Sequence, residues 1–157
     1  MAQTFNVLFL CEANSVRSIM AEALLNRFGA GRFRAFSAGL DPAPEVHPLA
    51  LEIAHASGIA ASGLRPKSVR EFASSSAPRM DFVIALDKHP APAIPGHPML
   101  ARWGISDPMT SDGDAKTRRL AFRRAWRELE TRIKLFVLVR HRREDREFEA
   151  PRQARSA

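Results

Sequence analysis

The chain has 157 residues, a net charge of +7 and a single cysteine. Its length predicts one domain that is large enough to bury a hydrophobic core. A lone cysteine excludes an intramolecular disulfide and a multi-cysteine zinc site. No apolar run approaches the roughly 18 residues of a membrane-spanning helix, and no signal-peptide pattern is present. We therefore expect a soluble, cytoplasmic protein without a membrane partner.

The positive charge is concentrated late in the chain. Residues 115–139 carry eight Lys or Arg against two Glu, and residues 140–157 carry six Arg against four acidic residues. Neither segment contains interleaved aromatics or a nucleic-acid-binding motif. This pattern favours a solvated basic face over a nucleic-acid surface, so we expect no nucleic-acid partner.

Strand and helix patterns alternate along the chain. Apolar runs predict strands near residues 5–10, 33–37, 82–86 and 99–103, and helical spacing predicts helices near 16–28, 48–57, 68–72 and from 114 onward. The last helix carries an apolar stripe of Phe122, Trp126, Leu129, Ile133 and Phe136. This alternation predicts a single-domain α/β fold, an open four-stranded parallel sheet with helices on both faces. We place this domain at residues 1–139 and expect a charged, disordered tail at 140–157.

A cysteine closes the first predicted strand, and an arginine stands six residues later, where the first helix begins. Such a turn directs backbone N–H groups and the positive end of the helix dipole into one small cup, which fits a tetrahedral oxyanion. Cys11 would lie at its floor, and the planar guanidinium of Arg17 would bind two of the anion's oxygens. The predicted substrate-binding residues are Glu12, Ala13, Asn14, Ser15, Val16, Arg17 and Ser18.

Each of these residues also has an ordinary structural interpretation. A buried cysteine commonly packs as a small hydrophobe, and an arginine in a first helical turn is commonly solvated. Asn14 either ties the loop together in a strained conformation or is a plain turn residue. The hydroxyl of Ser18 either donates to the sulfur or only starts the helix. The conjunction of these residues at one strand-to-helix turn is more specific than any of them alone.

Asp107 follows the fourth predicted strand. Parallel strands end at the same edge of a sheet, so its loop should emerge beside that of Cys11. Attack by Cys11 on a phosphate monoester would release an oxygen that needs a proton, and Asp107 is the candidate acid. Asp107 would afterwards be the base that activates water to hydrolyse the resulting phosphocysteine. Pro108 restricts the backbone of Asp107 to extended conformations. The alternative is an ordinary Asp-Pro turn.

The spacing of Cys11, Asn14, Arg17 and Ser18, followed by Met-Ala-Glu-Ala, resembles the low-molecular-weight protein tyrosine phosphatases and the arsenate reductases of the same flavodoxin-like fold. Residues 36–39, 46–50, 80–84 and 103–108 resemble further segments of this family, so the resemblance covers about residues 5–138. It implies a phosphate-binding loop with Cys11 as nucleophile and Asp107 as acid. It also implies that Ser37 braces the loop, where the alternative is a plain strand-end hydroxyl.

The chain departs from this family in several ways. Val16 stands where typical members have a second cysteine, and residues 85–88 lack the two further cysteines of thioredoxin-coupled arsenate reductases. An arsenate reductase of this sequence must therefore use an external thiol. The chain has no tyrosine, and Met109 follows the Asp-Pro pair, which argues against a preference for phosphotyrosine. Glu12 would weaken anion binding unless its side chain turns outward.

Three hypotheses follow. The first is a cysteine-dependent phosphatase that hydrolyses phosphomonoesters, with phosphotyrosine and protein substrates included, through a phosphocysteine. The alternative is an arsenate reductase of the same fold that uses glutathione, glutaredoxin or a similar thiol. The third is a non-catalytic oxyanion-binding domain. The expected ligand is phosphate, arsenate or a phosphomonoester, no metal site or bound cofactor is predicted, and the oligomeric state stays open.

Overall fold

A computed structural model describes residues 3–149 of the chain, with side chains through Arg140. Its strands form one sheet in the order β2-β1-β3-β4, and every neighbouring pair is parallel. The predicted four-stranded open parallel sheet is therefore confirmed. The strands are β1 (Phe5–Cys11), β2 (Phe33–Gly39), β3 (Phe82–Ala85) and β4 (Met99–Arg102); the helices are α1 (Arg17–Phe28), α2 (Pro48–Ala56) and α3 (Ala115–Glu149), with short 3-10 helices at Val69–Phe72 and Pro108–Thr110.

β1 is an inner strand because it is covered on both faces. Val7 and Phe9 point to one side and pack with the helices, while Leu8 and Leu10 point to the other side. This alternation is the two-residue period of a strand, and the near-continuous apolar run is typical of a parallel strand buried on both faces. The second face is covered by the 3-10 helix Val69–Phe72, so helical segments lie on both faces of the sheet.

The apolar stripe of α3 packs against the sheet as its spacing predicts. Phe122, Leu129 and Ile133 are completely buried, and Trp126 is 5% exposed. The helical spacing of α1 also predicts that Phe28 faces inward, which is wrong because this side chain is exposed. It is the last residue of α1, and the ammonium of Lys134 lies 4.7 Å from the centre of its ring.

α3 extends beyond the boundary that the sequence suggested. Its backbone is helical through Glu149, so for residues 140–149 a helix replaces the disordered tail that we expected. The physical reason is that Arg and Glu, which dominate this segment, have high helix propensity even without an apolar face. Residues 150–157 lie outside the described residues, and the division into a domain and a tail stays a prediction. None of the helices in the described part of the chain is long and apolar enough to cross a membrane.

The end of β2 is packed directly against the loop that follows β1. The N–H groups of Asp41 and Ala43 donate to the carbonyls of Glu12 and Ala13, each at 2.9 Å. Gly39 allows this close approach, because a Cβ placed there would lie 2.6 Å from the carbonyl oxygen of Glu12. The carboxyl-end edge of the sheet therefore fixes the shape of this loop through backbone contacts.

We expect Gly39→Ala to distort the loop after β1, since backbone atoms cannot move aside as a flexible side chain would. The free energy of unfolding should fall by about 1–3 kcal/mol, and phosphate binding should weaken. Denaturant unfolding and calorimetric titration with phosphate measure these effects. Gly104→Ala is the matched control, since no atom lies within 4 Å of a Cβ added there. Equal behaviour of the two variants would contradict this account of Gly39.

Candidate active site

Cys11 is the last residue of β1, and α1 begins at Arg17. Val16 caps this helix without a side-chain hydrogen bond, and the first turn contains no acidic residue. The first N–H groups of a helix require an acceptor, and the helix dipole favours a negative one. The loop between β1 and α1 therefore has the electrostatics of an anion site, as the sequence suggested.

The sulfur of Cys11 is held by a short chain of polar side chains. Its Sγ lies 2.8 Å from the hydroxyl oxygen of Ser18, and both residues are buried. The side-chain amide of Asn14 donates to that same oxygen at 2.7 Å. The hydroxyl of Ser18 accepts from this amide and can still donate its own proton to the sulfur. A donated hydrogen bond favours the thiolate, the form of cysteine that reacts.

Asn14 is the residue that fixes the loop conformation. Its φ of 47° lies in the left-handed region, which asparagine tolerates better than most residues. Its side chain is completely buried, and its oxygen accepts from the backbone N–H of Lys67 at 2.9 Å. Of the two interpretations of Asn14 and of Ser18, the structure favours the supporting one. Their part in a reaction stays a prediction.

The guanidinium of Arg17 is held by two loops at the edge of the sheet, the one after β3 and the one after β4. Its Nη1 donates to the carbonyl oxygens of Leu86 at 3.3 Å and of Ile105 at 3.1 Å. Its Nη2 lies 3.4 Å from a carboxylate oxygen of Asp107 and 3.9 Å from one of Asp87. The structure thus brings the Arg17 and Asp107 side chains together, as the sheet topology predicts.

The side chain of Asp107 is fixed by a backbone N–H group of its own loop. One carboxylate oxygen accepts from the N–H of Met109 at 3.0 Å, which starts the 3-10 helix Pro108–Thr110. The other oxygen faces Arg17, and about a third of the side chain stays exposed. The Asp-Pro pair is therefore a turn and also an acid beside the predicted anion site. The two interpretations are compatible.

Two residues of this site were missed from the sequence, Asp87 and His89. Asp87 accepts from the N–H of Glu12 at 2.9 Å, and its other oxygen lies 3.2 Å from Nδ1 of His89. Nε2 of His89 lies 3.3 Å from the carboxylate of Glu12, which is turned outward and is 55% exposed. The position of both residues just after β3, at the same sheet edge as Cys11, was the available signal.

A small recess of about 10 Å³ lies against the cysteine. Two larger cavities, of about 280 and 430 Å³, do not include Cys11 in their walls. Among the side chains that the structure describes, residues 3–140, no group of three or more His, Cys, Asp or Glu is arranged to hold a metal ion. The recess beside the cysteine is lined by Leu10, Cys11, Leu40, Ala85, Asp87, His89, Pro90 and Ala91.

Ser37 belongs to a buried polar cluster behind the loop. Its hydroxyl donates to Glu22 at 3.3 Å and accepts from the ammonium of Lys67 at 3.5 Å. The ammonium lies 3.7 Å from the Glu22 carboxylate, and both side chains are about nine-tenths buried. Burial raises the pKa of Glu22, although Lys67 opposes this shift, and burial lowers the pKa of Lys67. Because the backbone N–H of Lys67 holds Asn14, this cluster lies directly behind the loop.

We expect Ser18→Ala to slow alkylation of Cys11 by iodoacetate near neutral pH by roughly 10- to 100-fold, because a hydrogen bond to a charged group contributes about 1.5–3 kcal/mol. The alkylation rate of the folded protein, followed by mass spectrometry, measures this effect. Ser62→Ala, at an exposed serine, is the control. An unchanged rate in Ser18→Ala would show that the hydroxyl does not stabilise the thiolate.

We expect Lys67→Met to destabilise the fold by about 3–5 kcal/mol at neutral pH, because it leaves the Glu22 carboxylate buried without its cation. Without Lys67, burial alone acts on the pKa of Glu22 and raises it further above its ordinary value of 4.5. The Lys67→Met variant should therefore keep its stability at pH values below the ordinary pKa of Glu22. It should lose stability as the pH rises through the raised pKa of Glu22 in the folded protein.

Denaturant unfolding between pH 4 and pH 8 measures this loss. The double variant Lys67→Met/Glu22→Gln should recover most of it, and Lys116→Met, at an exposed lysine, should change little. A loss that does not vary with pH would contradict the role of Glu22.

Comparisons with known proteins agree with the fold. A solved structure described as an arsenate reductase in the phosphate binding state matches with a TM-score of 0.70 and 26% identity, over 86% of this chain and 98% of that chain. The arsenate reductase of Halalkalibacterium halodurans is 32% identical over 134 residues, which cover 83% of this chain and 94% of that protein. The glutaredoxin arsenate reductase of Synechocystis sp. is 38% identical over 80 residues, 51% of this chain and 58% of that protein.

A model of one protein family spans nearly the whole chain. It matches residues 6–147 and is described as low molecular weight phosphotyrosine protein phosphatase. The match includes every element from β1 to most of α3. The chain is therefore a member of the low molecular weight phosphotyrosine protein phosphatase family, on its arsenate-reductase-like branch.

Proposed function

We propose that this protein is an arsenate reductase that takes its electrons from an external thiol. The observation that carries the proposal is the single cysteine at the end of β1, with a hydroxyl oxygen 2.8 Å from its sulfur and Arg17 beside Asp107. The named relatives, which include two arsenate reductases over most of this chain, support arsenate as the oxyanion. These comparisons favour the alternative hypothesis over phosphomonoester hydrolysis.

The reaction begins with attack of the Cys11 thiolate on the arsenic atom. A sulfur–arsenic bond forms, and one arsenate oxygen leaves as water with a proton from Asp107. Arg17 and the N–H groups of the loop bind the remaining oxygens and neutralise their charge. Arsenic is still pentavalent at this point, because a nucleophilic substitution transfers no net electrons.

Reduction requires a second thiol. It attacks the sulfur of Cys11, and the sulfur–arsenic bond breaks with its electron pair left on arsenic, which becomes trivalent. Cys11 is then in a mixed disulfide with the attacking thiol, and one more thiol releases it. Overall, arsenate and two thiols give arsenite, one disulfide and water.

Both thiols of this balance come from outside the chain. Cys11 is the only cysteine, so this chain has no second thiol that could attack the mixed disulfide. The relative from Synechocystis is named a glutaredoxin arsenate reductase, which supports glutathione with glutaredoxin as the reductant class. A reduced thiol pool of this kind is found in the cytoplasm, where we place the protein.

Phosphomonoester hydrolysis is the second candidate, since the same nucleophile and acid serve both reactions. The position of Asp107 beside Arg17 favours it. Met109 is half exposed where an aromatic residue would flank a phosphotyrosine ring, so small phosphomonoesters are the expected class. Binding of phosphate without turnover of either substrate would leave the third hypothesis, an oxyanion-binding domain.

We expect arsenite to form only when arsenate and a low-molecular-weight thiol are both supplied. Separation of arsenite from arsenate by chromatography, with and without glutathione and glutaredoxin, measures this. An aryl phosphate is assayed in parallel. Absence of arsenite with every thiol offered would refute the proposal, and turnover of the aryl phosphate alone would replace it with hydrolysis.

Site variants connect this activity to the proposed roles. Cys11→Ser should abolish arsenite formation, and Asp107→Asn should lower kcat by about 10²-fold because proton donation to the leaving oxygen is lost. Asp112→Asn, at an exposed aspartate of the same loop, is the matched control and should retain activity. Retained activity in Cys11→Ser would exclude the covalent mechanism.

A further inference from the structure

The external thiol must lose its proton before it can attack the sulfur of Cys11, because the thiolate is the nucleophile. Asp107 is placed to serve the leaving oxygen and not a thiol that arrives from solvent. The recess beside Cys11 is the site to search for a second proton acceptor. The residues that line it include Asp87 and His89, which the attack of Cys11 on arsenate does not use.

The ring of His89 is held in one orientation. Its Nδ1 lies 3.2 Å from a carboxylate oxygen of Asp87, and its backbone N–H donates to the same oxygen at 3.1 Å. The guanidinium of Arg102 donates to the backbone carbonyls of Asp87 and His89, which ties this loop to β4. With Nδ1 facing the carboxylate of Asp87, Nε2 is the ring atom that can take a proton from a thiol once Glu12 turns away, which is the arrangement of a general base.

The ring is also accessible from outside. The side chain of His89 is 46% exposed, so a thiol in solvent can reach it. Its Nε2 lies 3.3 Å from the carboxylate of Glu12, whose side chain is more exposed still. Glu12 has no other side-chain partner in the described part of the chain, so it can turn away when a thiol approaches.

We propose that His89, oriented by Asp87, is the catalytic base that deprotonates the external thiol. The proton of the thiol passes to Nε2, and the resulting thiolate attacks the sulfur of Cys11. The new sulfur–sulfur bond forms as the sulfur–arsenic bond breaks, with its electron pair left on arsenic. The imidazolium releases its proton to solvent after arsenite leaves. This inference rests on the proposed arsenate reduction and adds to it the residue that deprotonates the reducing thiol.

The charges around the ring suit this step. Glu12 from the loop after β1 and Asp87 from the loop after β3 face its two nitrogens, so a proton gained by the ring lies between two carboxylates. The cations nearby face elsewhere, since Arg102 contacts backbone carbonyls and Arg17 faces Asp87 and Asp107.

The experiment compares His89→Gln with His55→Gln, a substitution at an exposed histidine of α2. Arsenite formation is measured with glutathione and with an aromatic thiol that is already ionised at the assay pH. For His89→Gln we expect kcat/KM for glutathione to fall by about 10²-fold, the usual contribution of a general base. We expect kcat/KM for arsenate to stay within about twofold, since arsenate reacts before the thiol arrives.

The ionised thiol gives the decisive result, because it has no proton to lose. His89→Gln should use it as well as the unchanged protein does. If His89 only shaped the loop, its substitution would instead slow arsenite formation equally with both thiols. The ratio between the two thiols is measured within one preparation, so partial misfolding does not alter it. Alkylation of Cys11 by iodoacetate, with protection by phosphate, reports independently on the loop.

The outcomes separate the two proposals. Equal loss with both thiols, or no loss with glutathione, overturns the role of His89 and leaves arsenate reduction in place. Absence of arsenite from the unchanged protein with either thiol overturns the proposed function, and this inference with it. Loss with glutathione that the ionised thiol restores supports the role of His89.

Discussion

The hydrogen bond between Ser18 and the sulfur of Cys11 is the interaction on which the rest of the site depends. It spans 2.8 Å between two buried side chains, and Asn14 holds the same hydroxyl in place by donating to it. Asn14 is held in turn by the backbone N–H of Lys67, and the ammonium of Lys67 is held by Ser37 and Glu22. A buried polar network of this kind is stable only when each member is satisfied, so the sulfur is positioned by the whole chain of contacts.

The sheet explains how residues so distant in sequence meet at this sulfur. All four strands run in parallel, so their carboxyl ends lie along one edge. β1 ends at the cysteine, β2 leads to Gly39 and on toward Lys67, β3 leads to Asp87 and His89, and the segment after β4 carries Asp107. Arg17 joins three of these segments, since it contacts Leu86, Asp87, Ile105 and Asp107. The topology therefore brings the groups together, and local loop conformation decides which atoms face one another.

The same distinction explains what the sequence could predict. Apolar runs such as residues 5–10 and the stripe from Phe122 onward have a period, and a period predicts both an element and its buried face. The Cys11 loop was predictable because its residues are close in sequence and stand at a strand-to-helix turn. Lys67 and His89 lie on irregular segments, where no period indicates the direction of a side chain. Their contacts depend on turns that only the folded chain shows, as when Asp87 accepts from the N–H of His89.

Under the proposed function, the number of cysteine thiols in the chain determines how accessible Cys11 must be to an external reductant. Val16, which stands where the sequence resemblance implies a second cysteine, is buried and supplies no electrons. A protein with two or three cysteines can transfer a disulfide away from a closed site, but a protein with one must let its reductant reach the first sulfur. The exposed side chains of Glu12 and His89 beside the recess are in accord with that requirement. Under the proposed function, this exposure, which would be a defect in a site that excludes water, is the route by which an external thiol reaches Cys11.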